Sequence, residues 1–271
     1  MAGDPDRSQL EFAMPISPEL QGFICTGLEE LHRSEKHILS KDFCHSVYRA
    51  FCPEIDAGVV GFFNRIKQSR VEGWPRGYRQ FASLVILSAK HAFPIFDEFA
   101  NQFATNYEPL RDLIALPAQI IKVAEDVITG AIEIDEAALL QSSDFYFGTS
   151  GICDAFTYPV SCAGMAASLT LDLLLYGYGK DVAYYAVEAC SAIDENPRGV
   201  WFRNYYPIGN INPKFYTSYF LDEATIEDRK TGYPSIYLPP IPIRYDLQKR
   251  CDFWQWWLTE AIEKASEIYQ K

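Results

Sequence analysis

Two acidic-x-x-His pairs, Glu29 with His32 and Asp42 with His45, have the spacing most suggestive of chemistry. At i, i+3 on a helix a carboxylate and an imidazole share a face, which is half of what a di-iron helical bundle uses. The other half, two further inward glutamates on long helices, does not stand out. Glu29-Glu30 and Glu35-Lys36 sit in a densely charged stretch that reads as solvated. Both pairs are therefore expected on the surface, with no metal and no cofactor. Cys44 beside His45, with Cys52 nearby, raises a thiol nucleophile or a zinc site. Adjacent side chains on a helix point about 100° apart, so Cys44 and His45 cannot serve each other. A buried, inert thiol is the expected state. His91 falls off the apolar stripe of its own segment and is expected to pair with Glu98 in solvent. Gly177-Tyr178-Gly179-Lys180 is followed by Asp181, which offers no hydroxyl to a magnesium ion, so no phosphate loop is present. Neither GxSxG nor HExxH occurs. No catalytic residue is assigned.

Asp172 is the one charge within the most apolar stretch, residues 160–176. Buried carboxylates tend to titrate abnormally, so in an enzyme Asp172 would be the pocket residue to test. The simpler alternative pairs it with an arginine such as Arg198 or Arg203. The stretch is short for a membrane span and is expected to be a central buried helix, with no membrane involved.

The elements that would position these residues are helical. Apolar residues make up 48% of the 271-residue chain and aromatics 15%, enough to bury a sizeable core. Helices are predicted over 19–37, 42–51 and 57–68, with a loop over 72–77. Val85, Ala89, Ala92, Phe96, Phe99 and Phe103 form one stripe across a long helix over 78–103, with Pro94 inside it as a kink. Pro117 is read as the first residue of the next helix, Gly130 as its stop, and Asp135 as the cap of a short helix to Leu140. Helices over 160–176 and 181–193 follow. The fold class expected is all-α, a compact multi-helix domain over 19–271 behind a polar tail, 1–18.

Residues 196–247 differ in character. Seven prolines there exclude long helices, while the tyrosines argue against disorder. This Tyr/Pro-rich insertion reads as a long ordered connection in which 235–238 pairs locally, a kind of segment that often carries function. Tyr205, Tyr206, Tyr216 and Tyr219 are either partner-binding anchors or a lid packed on the helices. The C-terminal helix, 248–269, places Trp254, Trp257, Leu258, Ala261, Ala265 and Ile268 on one face, assigned to the core. Trp256 projects from the opposite face. It either packs under the insertion, the preferred reading, or stands exposed as an interface anchor.

The net charge of −12 argues against nucleic-acid binding and suits a basic partner. Seven scattered cysteines without CxxC spacing, behind an N-terminus lacking a secretory pattern, read as reduced thiols in the cytoplasm.

The run Lys249-Arg250-Cys251-Asp252-Phe253-Trp254-Gln255-Trp256-Trp257-Leu258-Thr259-Glu260-Ala261-Ile262 resembles the closing helix of the Imm5-like immunity proteins of bacterial polymorphic toxin systems. Two further stretches fit in order. Ser88-Ala89-Lys90-His91-Ala92-Phe93-Pro94-Ile95-Phe96 resembles that family's proline-containing helix, and 181–190 its late alanine-rich helix. The insertion is longer than the resemblance leads one to expect. The resemblance implies an all-α, non-catalytic bacterial protein that protects its producer by binding a cognate protein toxin. The alternative is a helical small-molecule enzyme whose aromatic lid covers an apolar pocket containing Asp172. A third option is a scaffold subunit with no toxin.

Overall fold

A computed structural model describes residues 16–56, 74–106, 111–133, 158–176, 179–193 and 244–267. These residues are overwhelmingly helical, and the fold is all-α. The elements are α1 (Pro18–Arg33), α2 (Lys41–Phe51), a short 3-10 turn (Pro53–Asp56), α3 (Arg76–Asn106), α4 (Arg111–Ile128), α5 (Tyr158–Tyr176) and α6 (Val182–Ser191). Two strands of two residues follow, β1 (Ala192–Ile193) and β2 (Arg244–Tyr245). The closing helix, α7, runs through Leu247–Trp256, a π turn at Trp257–Ala261, and Ile262–Glu267. The segments predicted as helix over 57–68 and 135–140, the pairing over 235–238 and most of the insertion lie outside the described residues.

Local chemistry sets the helix ends. The Ser17 hydroxyl accepts the Leu20 amide at 3.2 Å, and Pro18 follows in the first turn, where its missing N–H costs nothing. Ser40 caps α2 by accepting the Phe43 amide, and Asp246 caps α7 by accepting the amides of Gln248 and Lys249. Gly130 ends α4 with φ 77°, the left-handed conformation that glycine adopts without strain.

α3 is the centre of the bundle. It packs on α4, α5 and α6, and its face also meets the second half of α7. Val85, Ala89, Ala92, Phe96 and Phe99 are all buried, as the stripe requires. α5 is apolar nearly all round and lies between α3, α4 and α6. Among the described residues no helix is long and apolar enough to cross a membrane.

The closing helix has a repeat of four. Phe253, Trp257, Ala261 and Ala265 are buried, and so are Trp254, Leu258, Ile262 and Ser266. Four residues at about 100° each overshoot one turn by about 40°, so a straight α-helix would carry this stripe off the core. The π turn corrects the drift by placing an extra residue in the turn: the Ile262 amide donates to the Trp257 carbonyl, five residues back. Both tryptophans then stay in the core, as expected. Trp257 Nε1 donates to the Ser88 hydroxyl at 3.1 Å, which in turn donates to the Leu84 carbonyl at 2.8 Å. Trp254 meets the Tyr184 ring edge-on at 5.6 Å.

Several boundaries differ from the sequence reading, among them that of α1, which ends at Arg33 and not at 37. Pro117 does not open its helix. α4 starts at Arg111, so the proline lies in the second turn and deletes one backbone bond. Burial of Leu116, Pro117, Ile120 and Ile121 offsets the loss. Arg76 and Gly77 belong to α3 and not to a loop. A Cβ on Gly77 would lie 1.8 Å from the Phe51 carbonyl oxygen, so this glycine permits α3 to start against the end of α2. Finally, α6 stops at Ser191 because Ala192 and Ile193 turn out to pair with Tyr245 and Arg244.

Candidate functional site

Among the described residues, a largely buried polar cluster lies where residues 192–193 meet 244–245. The pairing of β1 with β2 is antiparallel, Ala192 with Tyr245 and Ile193 with Arg244. The Asp246 amide extends it by donating to the Ser191 carbonyl at 2.8 Å. Beneath the ladder, Glu188 of α6 accepts from three groups. Arg250 of α7 donates to its Oε1 at 2.8 Å, the Tyr158 hydroxyl at the start of α5 donates to its Oε2 at 2.9 Å, and the Tyr245 hydroxyl donates to the same oxygen. Arg250 also donates from Nε to the Ser191 hydroxyl at 3.3 Å, and its guanidinium lies 3.4 Å over the centre of the Tyr245 ring.

The electrostatics are those of a closed set. The Arg250 side chain is 4% exposed and that of Glu188 17%, so the pair is largely out of water and each charge needs the other. Burial, together with the neighbouring Glu188 charge, pushes both phenols above their usual range. At Tyr245 the Arg250 charge works against this shift. The tyrosines therefore stay protonated and act as donors. A carboxylate offers about four acceptor positions, and three here are filled from within the protein. The cluster is built to hold chain segments together.

Trp256 is half-buried and stacks on His91 of α3, with ring centres 3.8 Å apart and planes 24° apart. Phe253 completes the aromatic group, 5.5 Å from His91 and itself 1% exposed. Trp256 thus has a defined partner on the long helix, and His91 pairs with this indole, not with Glu98 as expected. Burial is the main cause holding the His91 pKa below 6.5, opposed by Glu260 and aided by Lys264. Tyr205, Tyr206, Tyr216 and Tyr219 lie outside the described residues. Asp172 lies on α5, but its side chain does not belong to the described part.

The remaining chemical candidates resolve into local contacts. Glu29 pairs with Arg33 at 2.8 Å, and His32 Nδ1 lies 2.6 Å from the Leu28 carbonyl. Cys44 is buried, and burial pushes its thiol up to about 12; the Tyr184 hydroxyl, which donates to the Leu39 carbonyl, is 3.6 Å from its sulfur. No group of three or more His, Cys, Asp or Glu among the described residues is placed to hold a metal ion. A cleft of about 200 Å³ between α3 and α4 has Phe93, Pro94, Ala118 and Ile121 in its lining, beside a Lys90–Glu125 pair at 2.5 Å. A groove of about 490 Å³ along α1 and the turn after it is lined by Ile38 and by polar residues that include Glu29, Glu30 and Arg33.

The Glu188–Arg250 pair was absent from the sequence reading, although a signal existed. Arg250 lies four residues before Trp254 and seven before Trp257, which puts a charge on the buried stripe of α7. A charge in that position requires a partner. Compared with known proteins, the chain has no significant match to a family model, a curated protein or a solved structure.

Proposed function

We propose that this is a non-catalytic, immunity-type binding protein that neutralises a cognate basic protein toxin by covering part of its surface. The observation that carries this reading is the antiparallel pairing of Ile193 with Arg244. It closes a Tyr/Pro-rich stretch of the sequence at its base and fixes that base to buried groups of α5, α6 and α7. A tyrosine-rich sequence suits recognition of a protein surface, because tyrosine supplies contact area at low entropic cost. The net charge of −12 favours encounter with a basic partner. The resemblance of α7 to the closing helix of the immunity proteins points the same way. Tyr205, Tyr206, Tyr216 and Tyr219 are the proposed anchors.

The test is affinity purification of the protein from its native host, with the captured proteins identified by mass spectrometry and affinity then measured by calorimetry. A basic toxin is expected to co-purify. A two-residue Asn-Gly turn joining 193 to 244 suits an antiparallel ladder and should preserve the body. That variant should keep its helical circular dichroism and lose the partner. Retention of the partner at unchanged affinity would rule out the insertion as the contact.

A further inference from the structure

Residues at the ends of three described stretches gather around the Glu188–Arg250 pair. Tyr158 is the first residue of α5 and follows the stretch 134–157; Ser191 and Tyr245 flank the stretch 194–243. Glu188 accepts from Tyr158 and Tyr245 directly, and it holds Arg250, whose Nε reaches Ser191. The ladder above has only two residue pairs, too few to be stable without support from elsewhere. By contrast, α5, α6 and α7 have an extensive apolar packing of their own through residues such as Leu171, Val187 and Trp254.

We infer that Glu188 is the positioning residue of this junction: its charge holds the two flanking segments, 191–193 and 244–246, paired against the helices. Hydrogen bonds to an ionised carboxylate are roughly twice as strong as neutral ones. Arg250, almost wholly buried, depends on that charge to remain where its guanidinium covers the Tyr245 ring. The positioning role stands on these contacts alone; its consequence for binding rests on the proposed function.

E188Q keeps the shape of the side chain and removes the charge. Hydrogen exchange measured residue by residue should show the Asp246 amide, now bonded to the Ser191 carbonyl, and the ladder amides losing about tenfold or more of their protection. Amides in the middle of α3, around Ala89 and Ala92, should keep theirs. Y245F removes one donor without disturbing the ion pair and should give a smaller loss at the same amides, so it carries the test if E188Q does not fold. A uniform loss across α3, α5 and α7 would overturn the proposal, since Glu188 would then serve the whole fold. No change at Asp246 would overturn it as well. With a partner in hand, E188Q should weaken binding. A loosened junction with unchanged affinity would rule out residues 194–243 as the contact and leave the positioning role standing.

Discussion

Replacing Gly27 with alanine tests the packing that seats α7, and Gly22 in the same helix provides the control. An alanine Cβ at 27 would lie 2.6 Å from Phe43 Cζ and 2.7 Å from Leu258 Cδ2. Carbon atoms prefer about 3.5–4.0 Å, so both neighbours must retreat by about 1 Å. Leu258 is fully buried in the π turn and Phe43 is 8% exposed, so little free space is available. Overpacking of this kind costs about 1–3 kcal/mol, while glycine to alanine inside a helix returns about 1 kcal/mol. Gly27→Ala should therefore range from neutral to about 2 kcal/mol destabilising. Around Gly22 nothing lies within 4 Å, so Gly22→Ala keeps only the gain and should stabilise by about 0.5–1 kcal/mol. Because the propensity term is common to both, the difference, about 1–3 kcal/mol, reads the steric term alone. Urea unfolding measures it: with slopes of about 1–3 kcal/mol/M, the two midpoints should separate by roughly 1 M. Leu258→Ala should cost less in the Gly27→Ala background than in the parent, since it vacates the contested space. Coincident midpoints for the two glycine variants would refute the close approach of α1 to α7.

Other outcomes follow from single contacts. Ser88→Ala leaves the buried Trp257 N–H without its acceptor and should cost about 1–3 kcal/mol in the same unfolding assay. Cys44 should resist alkylation at pH 8, where a thiol near 12 is ionised to about one part in ten thousand, while exposed Cys25 reacts; mass spectrometry of the labelled peptides checks this. The unfolded chain releases the Cys44 proton near 9, so the stability this thiol contributes is complete below pH 9 and is lost as pH rises toward 12. His91 should titrate below 6.5 by NMR, and Trp256→Ala should move its midpoint back up by opening the ring to water. The sign is opposite to that of Cys44: the unfolded state takes the proton first, so stability falls as pH drops below 6.5.

Much of the helical frame was legible because it depends on local pattern. The α3 stripe, the Gly130 stop and the core placement of Trp254 and Trp257 follow from periodicity and turn chemistry within a few residues of each site. Pro117 was misread because a proline is best tolerated in a first turn, and only tertiary burial of Leu116 and Ile120 explains a helix that begins six residues earlier. The π turn could have been inferred, since the buried positions of α7 repeat every four residues. The candidate site was harder. Glu188 and Arg250 are 62 residues apart, and Tyr158 is 30 residues from Glu188. No local pattern links them. His91 was assigned to Glu98 on its own helix because intrahelical spacing can be computed from sequence, whereas the packing of α7 against α3 cannot.

The adjacency of residues 193 and 244 also bears on how such a protein can change over generations. Closing a longer stretch costs little, about 0.6 kcal/mol for each doubling of length, and the two-pair ladder receives the same two ends whatever lies between. The ends of that stretch are held by Glu188, Arg250 and Tyr245, none of which lies between 194 and 243. Related chains should vary most inside that stretch while keeping the carboxylate, guanidinium and phenol of Glu188, Arg250 and Tyr245.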